Sequence, residues 1–225
     1  MTKRIIKNSK LTNRQVNQLI AYFALEIPAN RAAQVMQINR HSAERVYQII
    51  RRSLARECEL QSPLGGEVEM DESYFGGRRK GTRGRGAANK IPVFGLLKRN
   101  GKVYTRIVND VSRKTLRQII KSKVVPESVI FTDSSRSYDG LVLDGFKHYR
   151  INHAKAFAYS NRQHINGIEN FWGYAKNKLR RYNGVHRNHF YFYLKEMEYR
   201  YNHRRAANFK ALVKKTVVKY QSVLD

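Results

Sequence analysis

Residues 164–181 read HINGIENFWGYAKNKLRR, and the fold depends on where that stretch is placed. At helical period Ile165, Ile168, Trp172, Ala175 and Leu179 fall on one stripe, which predicts a helix with a single buried face. Glu169 and Lys176 stand seven positions apart, two turns, so both project along one edge of that stripe. A carboxylate and an amine beside a buried face read either as a surface ion pair or as part of a site. The upstream residues decide between the two.

The 225 residues suit one domain of about 150 residues plus a small one, or a single large domain. With 41% hydrophobic residues, 10 Phe and 14 Tyr, the chain can bury a proper core. Lys and Arg number 44 against 17 Asp and Glu, a net charge of +27. Such a charge opposes compaction unless a polyanion neutralises it, and nucleic acid is the expected partner. Because the basic residues are spread along the whole chain, an anionic membrane surface is the weaker alternative. The single Cys58 excludes a disulfide framework and a multi-cysteine zinc site, and is expected as a small apolar residue on a helix. No run approaches about 18 apolar residues and residues 1–10 lack a signal-peptide core. The expectation is a cytoplasmic, nucleoid-associated protein with no membrane partner.

Three short helices are predicted over residues 1–60. Thr12 caps the first, with Val16, Leu19, Ile20 and Phe23 inward. Pro28 or Asn30 starts the second, with Ala32, Ala33 and Val35 inward. The third runs through Ala43, Val46, Ile49, Ile50 and Leu54, and carries Arg40, His41, Arg45, Arg51, Arg52 and Arg56. A tight connection into a basic last helix is the pattern of a helix-turn-helix DNA reader. A small helical bundle with a solvated basic face has the same pattern, and the overall charge favours the reader. Arg40, His41, Ser42 and Arg45, near the start of the third helix, are the groove-facing candidates, with Arg51 further along as a candidate DNA contact.

Pro63 and the pair Gly65-Gly66 mark a boundary, so residues 61–225 are expected as a second, α/β domain that includes the C-terminal helices. In EVEMDESYFGG (residues 67–77) Val68 and Met70 alternate with Glu67, Glu69 and Asp71, a period-two strand. Acids on one sheet face repel unless a cation sits among them. Residues 78–90 form a Gly-rich basic loop without P-loop spacing, and Arg78, Arg79, Lys80, Arg83 and Arg85 read as a phosphate grip or as a solvated hairpin tip. Two strands joined at Arg99-Asn100-Gly101 follow, then a helix capped by Ser112. A short strand runs into Asp133, where α/β folds place ligands and where an Asp can equally cap a following turn. Asp139 and Asp144 are expected on the surface. One more strand, a polar loop, the opening helix, an aromatic-striped helix over about residues 186–205 and an amphipathic tail, Ala206–Asp225, expected to pack back as a helix, complete the chain.

Counted from Glu67, the order strand, strand, strand, helix, strand, short helix, strand, helix is that of the ribonuclease H-like fold. In that fold the first and fourth strands lie side by side and the later helix packs across them, so Asp71, Asp133 and Glu169 converge. With 35 residues between the last two, the acids resemble the DDE triad of transposases and retroviral integrases. EVEMDESYFGG, FTDSSRSY, HINGIENFWGYAKNKLRR and EMEYRYNHR resemble bacterial insertion-sequence transposases of the DD(E/N/H)K group. That group has a lysine seven residues after its third acid position, here Lys176. Many relatives carry a Cys-rich zinc ribbon at the N-terminus, which this chain cannot form.

The resemblance implies Asp71, Asp133 and Glu169 as ligands for two Mg²⁺ ions, with Mn²⁺ as a substitute, about 3.5–4 Å apart. It implies strand cleavage by hydrolysis, then attack of the freed 3′-hydroxyl on target DNA, with no covalent protein–DNA intermediate. Lys176 would hold a phosphate, with Asn166 and Arg180 on the same helix edge contacting DNA. Double-stranded DNA, as transposon ends and target, is the implied substrate, and a homodimer or higher oligomer is the implied assembly. Two other classes fit parts of the sequence: a recombinase with a Tyr or Ser nucleophile, and a non-catalytic helix-turn-helix regulator.

Overall fold

The computed structural model describes residues 4–76, 90–133, 135–151 and 164–220. In chain order its helices are α1 (Asn13–Ala24), α2 (Ala29–Met36), α3 (Arg40–Glu59), α4 (Arg113–Lys123), α5 (Asn166–Arg180), α6 (Arg187–Asn202) and α7 (Phe209–Tyr220). Its strands are β1 (Glu67–Phe75), β2 (Ile91–Lys98), β3 (Val103–Ile107), β4 (Val129–Asp133) and β5 (Lys147–Ile151). The chain divides into two compact units, Ser62–Asn202 and the combination of Met1–Gln61 with His203–Asp225.

In the helical unit, Thr12 and Gln15 form a capping box that starts α1, and Val16, Leu19, Ile20 and Phe23 are buried as their spacing predicts. The chain leaves α2 through Gln37 in the left-handed region, φ 51°, and Asn39 caps α3 by accepting the His41 amide. Ala32 and Ala33 are buried, but Val35, expected inward, is 68% exposed. Cys58 is buried on α3. The C-terminal helix departs from the expected grouping with the α/β domain. Instead α7 buries Val213, Val217 and Tyr220 in the unit that holds α1 and α3, and Glu57 accepts bonds from Lys219 Nζ at 2.8 Å and the Tyr220 hydroxyl at 2.6 Å.

In the other unit, β1, β2 and β3 form an antiparallel meander, while β4 runs parallel to β1 and β5 parallel to β4. The order is β3-β2-β1-β4-β5, a mixed five-stranded sheet with the acid-bearing β1 at its centre. Ser112 caps α4, which lays Leu116, Ile119 and Ile120 on the face of Val68 and Met70. On the opposite face α5 and α6 pack Ile168, Phe171, Trp172, Leu194 and Met197 with Val93, Leu97 and Phe131. Helices on both faces explain why β2 is apolar nearly throughout. Asp144, expected on the surface, has its carboxylate covered by Arg117 and Lys121, and its pKa falls to about 2 chiefly through the Arg117 hydrogen bonds. Asp139 is exposed and paired with Arg150.

The sheet edge at β3 is closed by side chains instead of another strand. Asn202 accepts the Val103 amide at 2.7 Å and donates to the Val103 carbonyl at 2.9 Å. Glu198 Oε2 accepts the Thr105 amide at 2.9 Å and its hydroxyl at 2.6 Å, and Lys195 Nζ donates to the Thr105 carbonyl at 2.8 Å. Lys195, Glu198 and Asn202 are three and four positions apart, so one face of α6 imitates a pairing strand. An aromatic stripe was the expected burying face of this helix; Phe190, Leu194 and Met197 are buried, and so are these ionised groups.

Candidate active site

Strand register brings the first two acids level. The paired positions of β1 and β4 end at Glu69 opposite Phe131, and Asp71 and Asp133 each lie two residues further on. Alternation therefore puts both on the face covered by α5. Asp133 closes β4 and its Oδ1 accepts the Ser135 amide at 2.9 Å, so the capping role open in the sequence exists alongside its place beside Asp71.

Across that face α5 is seated by Trp172 on Gly95, the residue opposite Asp71 on β2. A methyl group at Gly95 would stand 2.4 Å from Trp172 Cζ2. Gly95→Ala is therefore expected to cost about 1–3 kcal/mol through overpacking, read as a lower melting temperature. An unchanged melting temperature would mean that α5 does not need this seat. Glu169 lies one turn before Trp172, and Lys176 one turn after it.

Charge reports the convergence. The Asp71 pKa is raised to about 6, chiefly by burial and in smaller part by the charges of Asp133 and Glu169. The Glu72 backbone amide and the nearby Trp172 indole pull it down, although the indole N–H makes no hydrogen bond of standard geometry. The Lys176 ammonium lies 5.7 Å from the centre of the Phe75 ring; partial burial lowers its pKa while Asp71 attracts it. Lys176 thus faces the acid on β1. Glu72, next to Asp71, points to the opposite sheet face beside Tyr138, and burial raises its pKa to about 7. Its Oε1 and the Tyr138 hydroxyl are both buried and influence each other, but among the described residues neither makes a hydrogen bond of standard geometry.

Three carboxylates are hard oxygen donors of the kind Mg²⁺ or Mn²⁺ takes, and a cation would offset both the burial of the Asp71 carboxylate, the main cause of its raised pKa, and its repulsion by Asp133 and Glu169. The donor set fits such an ion. Among the described residues no three His, Cys, Asp or Glu side chains are already gathered closely enough to hold one.

A family model described as the ISXO2-like transposase domain matches residues 63–202, more than half of the chain. The chain belongs to this transposase family. A Haemophilus influenzae protein named as an uncharacterized transposase-like protein is 50% identical over 101 residues, covering 45% of this chain and 81% of its own. Among solved structures, a simian T-cell lymphotropic virus intasome in complex with a PP2A regulatory subunit aligns with 82% of this chain and 68% of its own, at 11% identity and a TM-score of 0.41. The Mos1 strand transfer complex aligns with 93% and 79%, at 11% identity and a TM-score of 0.33. Both TM-scores are too low to add to the family match.

In the transposase, Asn166, Gly173 and Arg180 are exposed along α5, as the seven-residue spacing predicts. On α3, His41, Arg45, Gln48 and Arg52 form an exposed stripe, with Arg40 beside it bonded to Glu44 at 2.6 Å. Gln48 was missed because an uncharged side chain carries no signal in a charge-based reading. Arg51, expected as a DNA contact, is instead buried, its guanidinium 5.6 Å from the Phe23 ring centre and 5.9 Å from that of Tyr47, where it braces the helices. Arg78, Arg79, Lys80, Arg83 and Arg85 lie outside the described residues.

Proposed function

We propose that this transposase cleaves DNA at the ends of its insertion sequence and joins the freed 3′-hydroxyl to target DNA, using Asp71, Asp133 and Glu169 on a ribonuclease H-like domain. The observation that carries the reading is the raised pKa of Asp71, which the charges of Asp133 and Glu169 help to cause. It supports one site built from β1, β4 and α5. The sheet order, with three antiparallel strands followed by two parallel ones, supports the ribonuclease H-like assignment.

The three acids would hold divalent cations, which when bound supply a Lewis acid for phosphoryl transfer. Lys176 would hold a DNA phosphate beside Asp71, its ammonium 5.7 Å from the centre of the Phe75 ring. Asn166 and Arg180, with Gly173 leaving open space between them, would let the duplex lie along α5. The α2–α3 segment would act as a helix-turn-helix that binds the terminal repeats, with His41, Arg45, Gln48 and Arg52 toward the groove. A homodimer or higher oligomer on DNA is part of the same proposal.

Cleavage of DNA bearing the terminal repeats, with Mg²⁺ or Mn²⁺, tests the reading. Asp71→Asn and Glu169→Gln are expected to bind that DNA and not cut it. Either variant cutting at the wild-type rate overturns the site, and a trapped covalent protein–DNA adduct overturns the mechanism. Arg45→Ala is expected to weaken binding of all sequences and lower the slope of log affinity against log salt by about 1. Arg51→Ala is expected to lower stability instead, and an unchanged melting temperature for that variant would contradict its bracing role.

A further inference from the structure

Helix α5 begins without a cap of its own, because Ile165 before it has no side-chain oxygen for the first amides. Glu69 on β1 fills that place. Its buried Oε2 accepts the Ile168 amide at 3.0 Å, and its Oε1 accepts Arg99 Nε at 3.1 Å. Arg99 Nη2 in turn donates to the His164 carbonyl at 2.6 Å. The guanidinium lies 3.7 Å from the centre of the Phe131 ring, on β4 two residues before Asp133. Gly167 makes the approach possible, since a methyl there would lie 2.8 Å from Glu69 Oε2 and 3.0 Å from Leu97 Cδ2.

An exposed Ser or Asp at the cap would satisfy the same amide at lower desolvation cost. A buried carboxylate borrowed from the sheet does something that a local cap cannot. It ties the rotation and rise of α5 to the strand that carries Asp71. Glu69 and Asp71 are alternate residues on one face of β1, while Ile168 and Glu169 are consecutive on α5. The bond and the pair of acids therefore move together.

We infer that Glu69 and Arg99 form a positioning clamp that holds Glu169 in register with Asp71 and Asp133 for strand cleavage. Neither residue touches the reacting atoms; both act through the first turn of α5. The inference rests on the proposed role of the three acids. In the sequence its trace is a second acid, two positions before Asp71, on the same strand face.

The test compares Glu69→Gln, Gly167→Ala and Asp71→Asn in the full chain, on DNA bearing the terminal repeats. The readouts are single-turnover cleavage at saturating DNA, Kd for the end DNA, melting temperature, and hydrogen exchange of the Ile168 amide. Glu69→Gln and Gly167→Ala are expected to keep the wild-type Kd, to expose the Ile168 amide to faster exchange, and to cleave on the order of 10–100-fold more slowly. Gly167→Ala keeps both clamp partners but sets a methyl 2.8 Å from Glu69 Oε2 and 3.0 Å from Leu97 Cδ2, so a lower melting temperature is expected for either role, and the cleavage rate of the folded variant separates them: a purely structural role predicts a wild-type rate. A wild-type rate in either folded variant, with Asp71→Asn inactive, overturns the clamp and leaves the site standing. Asp71→Asn cutting at the wild-type rate overturns the underlying reading instead.

Discussion

Asp71→Asn is expected to abolish DNA cleavage and at the same time to make the cation-free protein more stable at pH 8. The ordinary value of 3.8 for this carboxyl is raised to about 6, first by burial and then by Asp133 and Glu169. A raised carboxyl pKa means that the folded protein holds the proton more tightly than the unfolded chain does. The resulting stability is complete below the ordinary value and is lost as pH rises through about 6. Once ionised, the folded-state group costs roughly 2–3 kcal/mol, which an uncharged amide of the same shape does not incur. In chelator, the melting temperature of wild type should therefore fall between about pH 4 and pH 6, and that of Asp71→Asn should fall less. Glu72, raised to about 7 on the other sheet face, leaves a residual fall in both proteins. Cleavage should drop by on the order of a thousandfold or more, the loss expected when several kcal/mol of charge stabilisation are removed. Thermal scans from about pH 4 to pH 8, beside the cleavage assay, check both halves. A variant no more stable than wild type at pH 8 would show that the three acids do not strain one another.

Glu198→Ala is the second large effect, and it concerns stability. Glu198 and Lys195 are fully buried, 3.0 Å apart, and both bond to Thr105 on the edge strand β3. Removing the carboxylate takes an acceptor at 3.0 Å from the buried Lys195 ammonium and the acceptor at 2.9 Å from the Thr105 amide. Breaking such a pair costs about 3–5 kcal/mol, a large share of the 5–15 kcal/mol that holds an ordinary domain together. The melting temperature should fall by on the order of 10 °C. Lys195→Met alone should also destabilise, and the double variant should lose less than the sum, because neither charge is then left alone. Strict additivity in that cycle would show that the two residues do not act as a unit. The word EMEYRYNHR, which carries part of the family resemblance, thus has a structural role, since Glu198 and Asn202 close the edge of the sheet.

Much of this architecture was legible because the signals are local. Thr12 and Ser112 cap helices through side chains within a few residues of the amides they satisfy. The α5 stripe of Ile168, Trp172 and Ala175 is buried because helical period determines which residues share a face. The alternation of Val68 and Met70 with Glu69 and Asp71 likewise divides β1 between two sheet faces. Residues that act at a distance were not legible. Arg51 has the composition of a DNA contact and is spent against Phe23 and Tyr47. The tail helix α7 has an apolar stripe that any core could accept, and it joins α1 and α3 rather than the sheet.

By itself, the sequence determined that the transposase would carry acids on a strand, a second strand and a helix, since periodicity and spacing are properties of a single segment. Only the tertiary structure decided how those segments meet. The β1–β4 register makes Asp71 and Asp133 level, Gly95 lets Trp172 seat α5, and Glu69 with Arg99 takes hold of its first turn. The Ile168–Glu69 bond joins positions 99 residues apart. No periodicity records such a bond, because its energy depends on burial and on geometry that exist only after the chain has folded.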